Sequence, residues 1–146
     1  MPFNPFQQMQ RPRNKWILIA TSVITALVVL LGTCFIGSGF TKRTDVVLGD
    51  YSVSEDGTEI TLYVGIPTSM GYIRGFEHEG GGGLKPYYLT FYSTFGGLNS
   101  SFGAKHEFTL ELCEYDSEIW FNRPGGGYEL VLQKDPETGA WTQPAT

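Results

Sequence analysis

Charge is absent from one long stretch of this chain, because the twenty-six residues from Trp16 to Thr41 include no acidic or basic side chain. This absence excludes an ordinary solvent-exposed segment, and the apolar residues that fill the stretch cover every face of a helix. About twenty helical residues cross the roughly 30 Å hydrocarbon layer of a bilayer, and a helix pairs its own backbone N–H and C=O groups there. We therefore predict a transmembrane helix over residues 16–36, so that the chain's first partner is the membrane.

Cysteine and histidine are scarce, with two residues of each type. Cys34 lies in the apolar run and Cys113 lies far along the chain, so we expect no disulfide between them. Metal-ligating residue types cluster only at Glu77-His78-Glu79. In an extended strand the two carboxylates share one face and the imidazole points to the other, so these three side chains do not converge on one ion and we predict no metal site.

Motifs of common catalytic and nucleotide-binding sites are also missing. No G-x-S-x-G sequence occurs. The glycine run Gly80–Gly83, followed by Lys85, has the wrong spacing for a phosphate loop, and Pro86 with the tyrosines after it predicts a strand instead of a helix. We therefore expect no catalytic residues and no cofactor. An envelope enzyme that brings His78 or His106 to a serine is the alternative that this reasoning leaves open.

Acidic residues are absent from the first fifteen positions, which contain three basic ones against two on the other side of the apolar run. Basic residues near a span favour the cytoplasmic side, so we predict that the N-terminus is cytoplasmic and that the C-terminal part lies outside the cell membrane. The prolines and glutamines of residues 1–15 predict a disordered cytoplasmic tail. The basic residues are Arg11, Arg13 and Lys15 before the run and Lys42 and Arg43 after it.

Two alternatives to a retained anchor remain open. A basic segment followed by an apolar one is also typical of a cleaved signal peptide, although this apolar core exceeds the usual 7 to 15 residues. The sequence Leu31-Gly32-Thr33-Cys34 resembles a bacterial lipobox, which makes Cys34 a candidate for lipidation. All three outcomes place the C-terminal domain outside the cytoplasm.

The part beyond the apolar run is acidic, with all fifteen Asp and Glu against seven Lys and Arg, which gives a charge of −8 after Thr41. Phosphate groups repel such a surface, so we expect no nucleic acid partner and no attraction to anionic lipid. Residues 37–45 are predicted to form a tether, and residues 46–146 have the length of one domain.

Short segments of alternating polarity, separated by turn sequences, fill residues 46–146. The clearest pair flanks Glu55-Asp56-Gly57 and predicts a β-hairpin. Seven or eight such strands without a helix predict an all-β fold, an antiparallel immunoglobulin-like sandwich, with a small barrel as the alternative. Trp120, Phe121 and Trp141 are the predicted core aromatic residues.

One aromatic strand is the candidate binding surface. Tyr88, Thr90, Tyr92 and Thr94 are predicted to share one face. Tyr87, Leu89, Phe91 and Phe95 share the other, and one of the two faces must be core. Exposed tyrosines on a sheet suit sugar rings or a partner protein, unless neighbouring strands cover them. We therefore predict a non-catalytic binding or interaction module whose partner is an unknown protein or glycan near the membrane. In one version of this prediction the module is a subunit of an envelope complex. The alternative is a structural accessory protein without a ligand of its own.

Small residues recur at intervals of four in the apolar run, at Thr21 and Thr25 and at Ser22 and Ala26. Such spacing lets two membrane helices approach closely, so a homodimer is one option for this chain.

Two segments, Tyr88–Lys105 and Gly126–Trp141, resemble pieces of small, uncharacterised membrane-anchored proteins of Gram-positive bacteria. The two segments contain 34 of the 146 residues. The resemblance implies a bacterial origin and a cell-surface location, and it implies no activity, ligand or site residue.

Overall fold

The computed structural model of the protein describes residues 5–68, 70–82, 86–97 and 99–145, with the backbone alone for residues 5–13. The chain divides into two compact units, one ending at Phe35 and the other comprising Ile36–Thr146. The first unit is helical. The second unit is a mostly β domain.

A single long helix, α1, runs over Pro5–Ser38. Its portion Asn14–Ser38 is long and apolar enough to cross a membrane. The hydroxyls of Thr21, Ser22 and Thr25 each donate a hydrogen bond to the carbonyl oxygen four residues earlier. Because hydrocarbon offers no other partner, such bonds are what polar side chains of a spanning helix require.

The helix is longer than the sequence predicted at both ends. It covers residues 5–15, for which we predicted a disordered tail, and residues 1–4 lie outside the described part. Pro5 fits the first helical position, where an N–H would have no intrahelical partner, and the glutamines after it are good helix formers. At the other end, part of the predicted tether 37–45 has regular structure. The helix α1 ends at Ser38, and Lys42–Arg43 form a strand.

The described part of the second unit contains nine strands in two sheets. In the larger sheet the order is β1-β5-β7-β8-β9, and β4 also pairs with β5. The smaller sheet has the order β2-β3-β6. The strands are β1 (Lys42–Arg43), β2 (Val47–Val53), β3 (Glu59–Gly65), β4 (Ile73–Glu79), β5 (Tyr87–Ser93), β6 (Glu107–Glu111), β7 (Glu118–Asn122), β8 (Tyr128–Lys134) and β9 (Trp141–Thr142).

Both sheets contribute to one hydrophobic core. In β3 and β6 every second residue is buried, which confirms the alternation that predicted these strands. Rings from the two sheets meet in the core, since the centroids of Phe91 and Phe108 are 5.8 Å apart. The buried apolar residues are Val46, Ile60, Leu62, Val64, Ile73, Tyr87, Leu89, Phe91, Phe108, Leu110, Ile119, Phe121, Val131, Leu132 and Trp141.

The hairpin of β2 and β3 is confirmed, with an antiparallel register from Val53 opposite Ile60 to Val47 opposite Gly65. The prediction that all pairing is antiparallel is wrong, because β5 and β7 run parallel, with Tyr88 opposite Trp120. A parallel pair needs a long connection, and this one crosses to the other sheet to form β6 before it returns. The immunoglobulin-like arrangement of strands is not confirmed.

Candidate binding site

Strand β5 places aromatic side chains on both faces of the larger sheet. Tyr87, Leu89 and Phe91 are buried in the core, so Tyr88 and Tyr92 point away from it. Both of these tyrosines are half-buried because side chains of the neighbouring strands stand beside them. The outer face of β5 is therefore neither fully covered nor flat.

An open groove of about 480 Å³ lies over this outer face. Its floor is the middle of β5, where Thr90 is only 9% exposed. The residues that line the groove are Lys42, Phe76, Glu77, His78, Glu79, Tyr88, Thr90, Tyr92 and Tyr128.

Aromatic rings form one wall of the groove. Tyr88 lies against Tyr128 of β8, with ring centroids 4.9 Å apart in an edge-to-face arrangement, and 6.2 Å from the ring of Trp120. The indole Nε1 of Trp120 donates a hydrogen bond to Glu118 Oε2 at 2.9 Å. The prediction that Trp120 is a core residue is wrong, because its neighbours Ile119 and Phe121 occupy the core positions of β7.

Carboxylates from the edge strand β4 form the opposite wall. Glu77 lies opposite Thr90 and Glu79 opposite Tyr88 in the register, and both carboxylates are exposed. The Tyr92 hydroxyl donates a hydrogen bond to Glu77 Oε2 at 2.8 Å. This bond, followed by partial burial and the negative charge of Glu77, raises the pKa of Tyr92.

One cation stands at an end of the groove. Lys42 of β1 lies opposite Tyr92 and is exposed. Two carboxylates against one ammonium group leave the lining acidic. The groove therefore offers aromatic faces and negative charge to whatever enters it.

No family model, curated protein or solved structure matches this chain. The chemistry of the groove is thus argued from its residues alone. The resemblance to membrane-anchored proteins of Gram-positive bacteria stays a prediction.

The two histidines occupy different places in the domain. His78 is among the residues that line the groove. Its ring lies edge-to-face on the ring of Tyr87, with centroids 5.4 Å apart. This contact is on the side of β4 opposite to the hydrogen bond between Tyr92 and Glu77. His106 lines a separate depression of about 300 Å³ together with Lys105 and Tyr72. Within the described residues, no three His, Cys, Asp or Glu side chains are grouped so as to hold a metal ion.

Of the predicted patch, three residues line the groove, namely Tyr88, Thr90 and Tyr92. Thr94 does not line it, because β5 ends at Ser93 and the Thr94 side chain, 1% exposed, donates a hydrogen bond to the Ser100 carbonyl. Nothing in the sequence indicates that Tyr128 belongs to this surface, because its strand reaches β5 only through β7.

The other predicted site residues remain open or only partly described. Cys34 lies within α1, and its lipidation stays a prediction. The glycine run continues into residues 83–85, which lie outside the described residues. Cys113 carries a free and exposed thiol at the end of the smaller sheet.

Proposed function

We propose that this chain is a membrane-anchored, extracytoplasmic and non-catalytic binding module, and that its groove holds a basic segment of a partner protein. The observation that carries the proposal is the pairing of an aromatic wall with two exposed carboxylates on the outer face of the sheet. Neither feature contributes to the hydrophobic core.

The chemistry of the two walls favours a cationic group. A lysine ammonium or an arginine guanidinium is attracted to the face of an aromatic ring and to a carboxylate at the same time. Glu77 and Glu79 supply the carboxylates, and Tyr88 and Tyr128 supply the rings. The charge of −8 after Thr41 attracts a basic partner over a longer range.

Anchoring through residues 16–36, with the N-terminus in the cytoplasm, is the second part of the proposal. The apolar helix Asn14–Ser38 and the basic residues before it support this location. The domain starts directly after the helix, so its partner is expected near the membrane. The two sheets over one core support a sandwich, and we do not extend this to the immunoglobulin strand order.

The test is a binding titration of the full-length protein in detergent micelles with a synthetic lysine-rich peptide, followed by tryptophan fluorescence. Trp120 packs on Tyr88 and reports on the groove, so the Trp120→Phe variant should lose most of the signal. We expect the double variant Glu77→Gln/Glu79→Gln to bind the peptide about tenfold more weakly, because two exposed ion pairs of about 0.5–1 kcal/mol each are removed.

A matched control separates the groove from the overall charge. The double variant Glu55→Gln/Glu114→Gln removes the same charge from exposed residues that do not line the groove, and it should bind like the unchanged chain. Equal weakening in both double variants would mean that the peptide binds the acidic surface without using the groove.

Other readings make different predictions in the same assay. Saturable binding of a neutral cell-wall glycan fragment, without binding of the basic peptide, would favour the glycan partner. Binding of neither would favour the structural accessory role. A hydrolytic activity lost in His78→Ala or His106→Ala would replace the binding module with an envelope enzyme.

A further inference from the structure

Three chain segments meet at one end of the β domain, namely residues 36–43, 70–75 and 93–106, of which residue 98 is not described. The Ser38 hydroxyl accepts hydrogen bonds from the amides of Gly96 at 2.7 Å and Gly97 at 3.2 Å. The Thr41 carbonyl accepts bonds from the Ser93 amide at 2.9 Å and the Ser93 hydroxyl at 3.0 Å. The first and third segments are thereby held together.

Arg74 joins the second segment to the other two. Its guanidinium donates to the Gly39 carbonyl, at 2.7 Å from Nη2, and lies 4.6 Å from the Phe95 ring centroid and 5.7 Å from that of Phe40. Phe95 in turn pairs with Phe102 in an isolated β-bridge. We call these three segments the basic aromatic end.

Charge is sharply segregated at the basic aromatic end. The three segments contain four of the seven Lys and Arg that follow Thr41 and none of the fifteen acids. Lys42 and Lys105 are exposed, whereas Arg43 is paired with Asp45, just outside the first segment. The domain is acidic on average and basic at this end.

Exposed apolar side chains concentrate in the same place. Among described residues after Ile36, five large hydrophobic side chains are at least 46% exposed, and four of them belong to these segments. These four are Phe40 (65%), Met70 (50%), Tyr72 (46%) and Phe102 (65%). The fifth, Tyr115, is 75% exposed and lies outside the three segments. The whole of β6 separates it along the chain from the third segment.

Chain continuity indicates what such a surface contacts. Ser38 is the last residue of the stretch that can cross a membrane, and Phe40 is two residues later. Aromatic residues mixed with lysine and arginine are typical of the boundary between hydrocarbon and headgroups. Residues 38–41 are bonded to the domain, so the surface around them begins within a few residues of the end of that stretch.

We infer that the basic aromatic end docks on the bilayer surface, with its apolar side chains among the lipids and its lysines at anionic headgroups. The net charge of the domain hides this attraction, because the acids lie outside the docking segments. Repulsion of those acids by the same headgroups disfavours every other orientation. The inference rests on the anchor and assumes no ligand in the groove, although Lys42 belongs to both surfaces.

The experiment uses the full-length protein reconstituted in vesicles of phosphatidylcholine with phosphatidylglycerol. Cys34→Ser/Cys113→Ser is the background, and an environment-sensitive fluorophore is attached to Phe102→Cys or, as the control, to Tyr115→Cys. We expect a blue-shifted emission at position 102 that brominated lipids quench, and a solvent-like emission without quenching at position 115.

A charge variant tests the role of anionic lipid. Lys105→Gln should weaken the docked state about fivefold relative to the undocked one, and so reduce the blue shift at position 102. Lys134→Gln removes a charge outside the basic aromatic end and should leave the blue shift unchanged. Equal effects of the two variants would contradict the proposed contact with headgroups.

Flotation on a density gradient accompanies each measurement. Protein that floats with the vesicles but shows the same solvent-like emission at positions 102 and 115 would overturn the docking while leaving the anchor intact. Protein that does not float would overturn the anchor and the docking together. The variant Glu77→Gln/Glu79→Gln should not alter the emission, which keeps this result separate from the proposed use of the groove.

Discussion

Tyr87 shows how a single residue joins the two sheets. Its hydroxyl donates a hydrogen bond to the Glu111 carbonyl at 2.6 Å, which connects β5 to β6, and the residue is only 6% exposed. The chain at Gly81 approaches so closely that a Cβ there would lie 2.3 Å from the Tyr87 ring, which excludes a larger residue. Burial, followed by the nearby charge of Asp116, raises the pKa of Tyr87 to about 12.

Tyr87→Phe should lower the free energy of unfolding by about 1 kcal/mol, because it removes this hydrogen bond and leaves the Glu111 carbonyl without its partner. The pKa of Tyr87 is higher in the folded state than its ordinary value of 10.0, so its contribution is complete below pH 10 and is lost as the pH rises towards 12. Urea unfolding across this range should therefore show a smaller decline for Tyr87→Phe. A decline equal to that of the unchanged chain would contradict the assignment, and Tyr115→Phe at an exposed position is the control.

Alternation along β5 was enough to divide its residues between two faces, and the structure shows which of the two faces the core. Trp120 and its neighbour Phe121 were both predicted as core residues, but alternation puts neighbours on opposite faces, and in β7 only Phe121 is buried. Alternation fails at Thr94, which follows the last residue of β5. Periodicity predicts faces only as far as the strand extends.

Among the elements, the β2–β3 hairpin is the one that local sequence determines most fully. In its turn, Asp56 accepts hydrogen bonds from the hydroxyls of Ser54 and Thr58, each at 2.7 Å, and these bonds lower the pKa of Asp56 to about 2. Gly57 follows with a φ of 70°. This left-handed conformation favours glycine, and it explains why the Asp-Gly sequence predicted the turn correctly.

Gly57→Ala should destabilise the domain by about 1 kcal/mol, because a Cβ is unfavourable at this positive φ even though no atom lies within 4 Å. Gly65→Ala, in β3 with equally open space and no positive φ, is the matched control and should be neutral or slightly stabilising. Thermal unfolding of both variants measures the difference. Equal melting temperatures would show that the turn conformation is not what Gly57 provides.

Strand partners were less predictable than the strands themselves. Nothing in the sequence of β5 or of β7 indicates that these two strands pair in parallel. The chain between them forms β6 in the other sheet, so the pairing depends on how the whole domain folds. The same limit applies to the groove, because Tyr128 of β8 comes to lie beside Tyr88 only through the parallel pair of β5 and β7.

At the scale of the whole molecule, the separation of charge is the feature that connects anchor, domain and groove. The first fifteen residues carry only basic charges, residues 16–41 carry none, and the part after Thr41 is strongly acidic outside the basic aromatic end. The proposed partners of the acidic groove and of the basic aromatic end therefore carry opposite charges. Salt should weaken both interactions, because each involves solvent-exposed groups.

The two cysteines provide a direct test of membrane orientation in intact cells. Cys113 is exposed in the β domain, so a membrane-impermeant maleimide should label the unchanged chain and the Cys34→Ser variant to the same extent. Cys113→Ser should remove the label, because Cys34 lies in the apolar helix, where lipid or lipidation keeps the reagent away. The intact mass of the extracted protein then separates a retained anchor from lipidation or cleavage. Labelling of Cys113 only after lysis would place the β domain in the cytoplasm, since the thiol is already accessible in the folded domain and only the membrane would shield it.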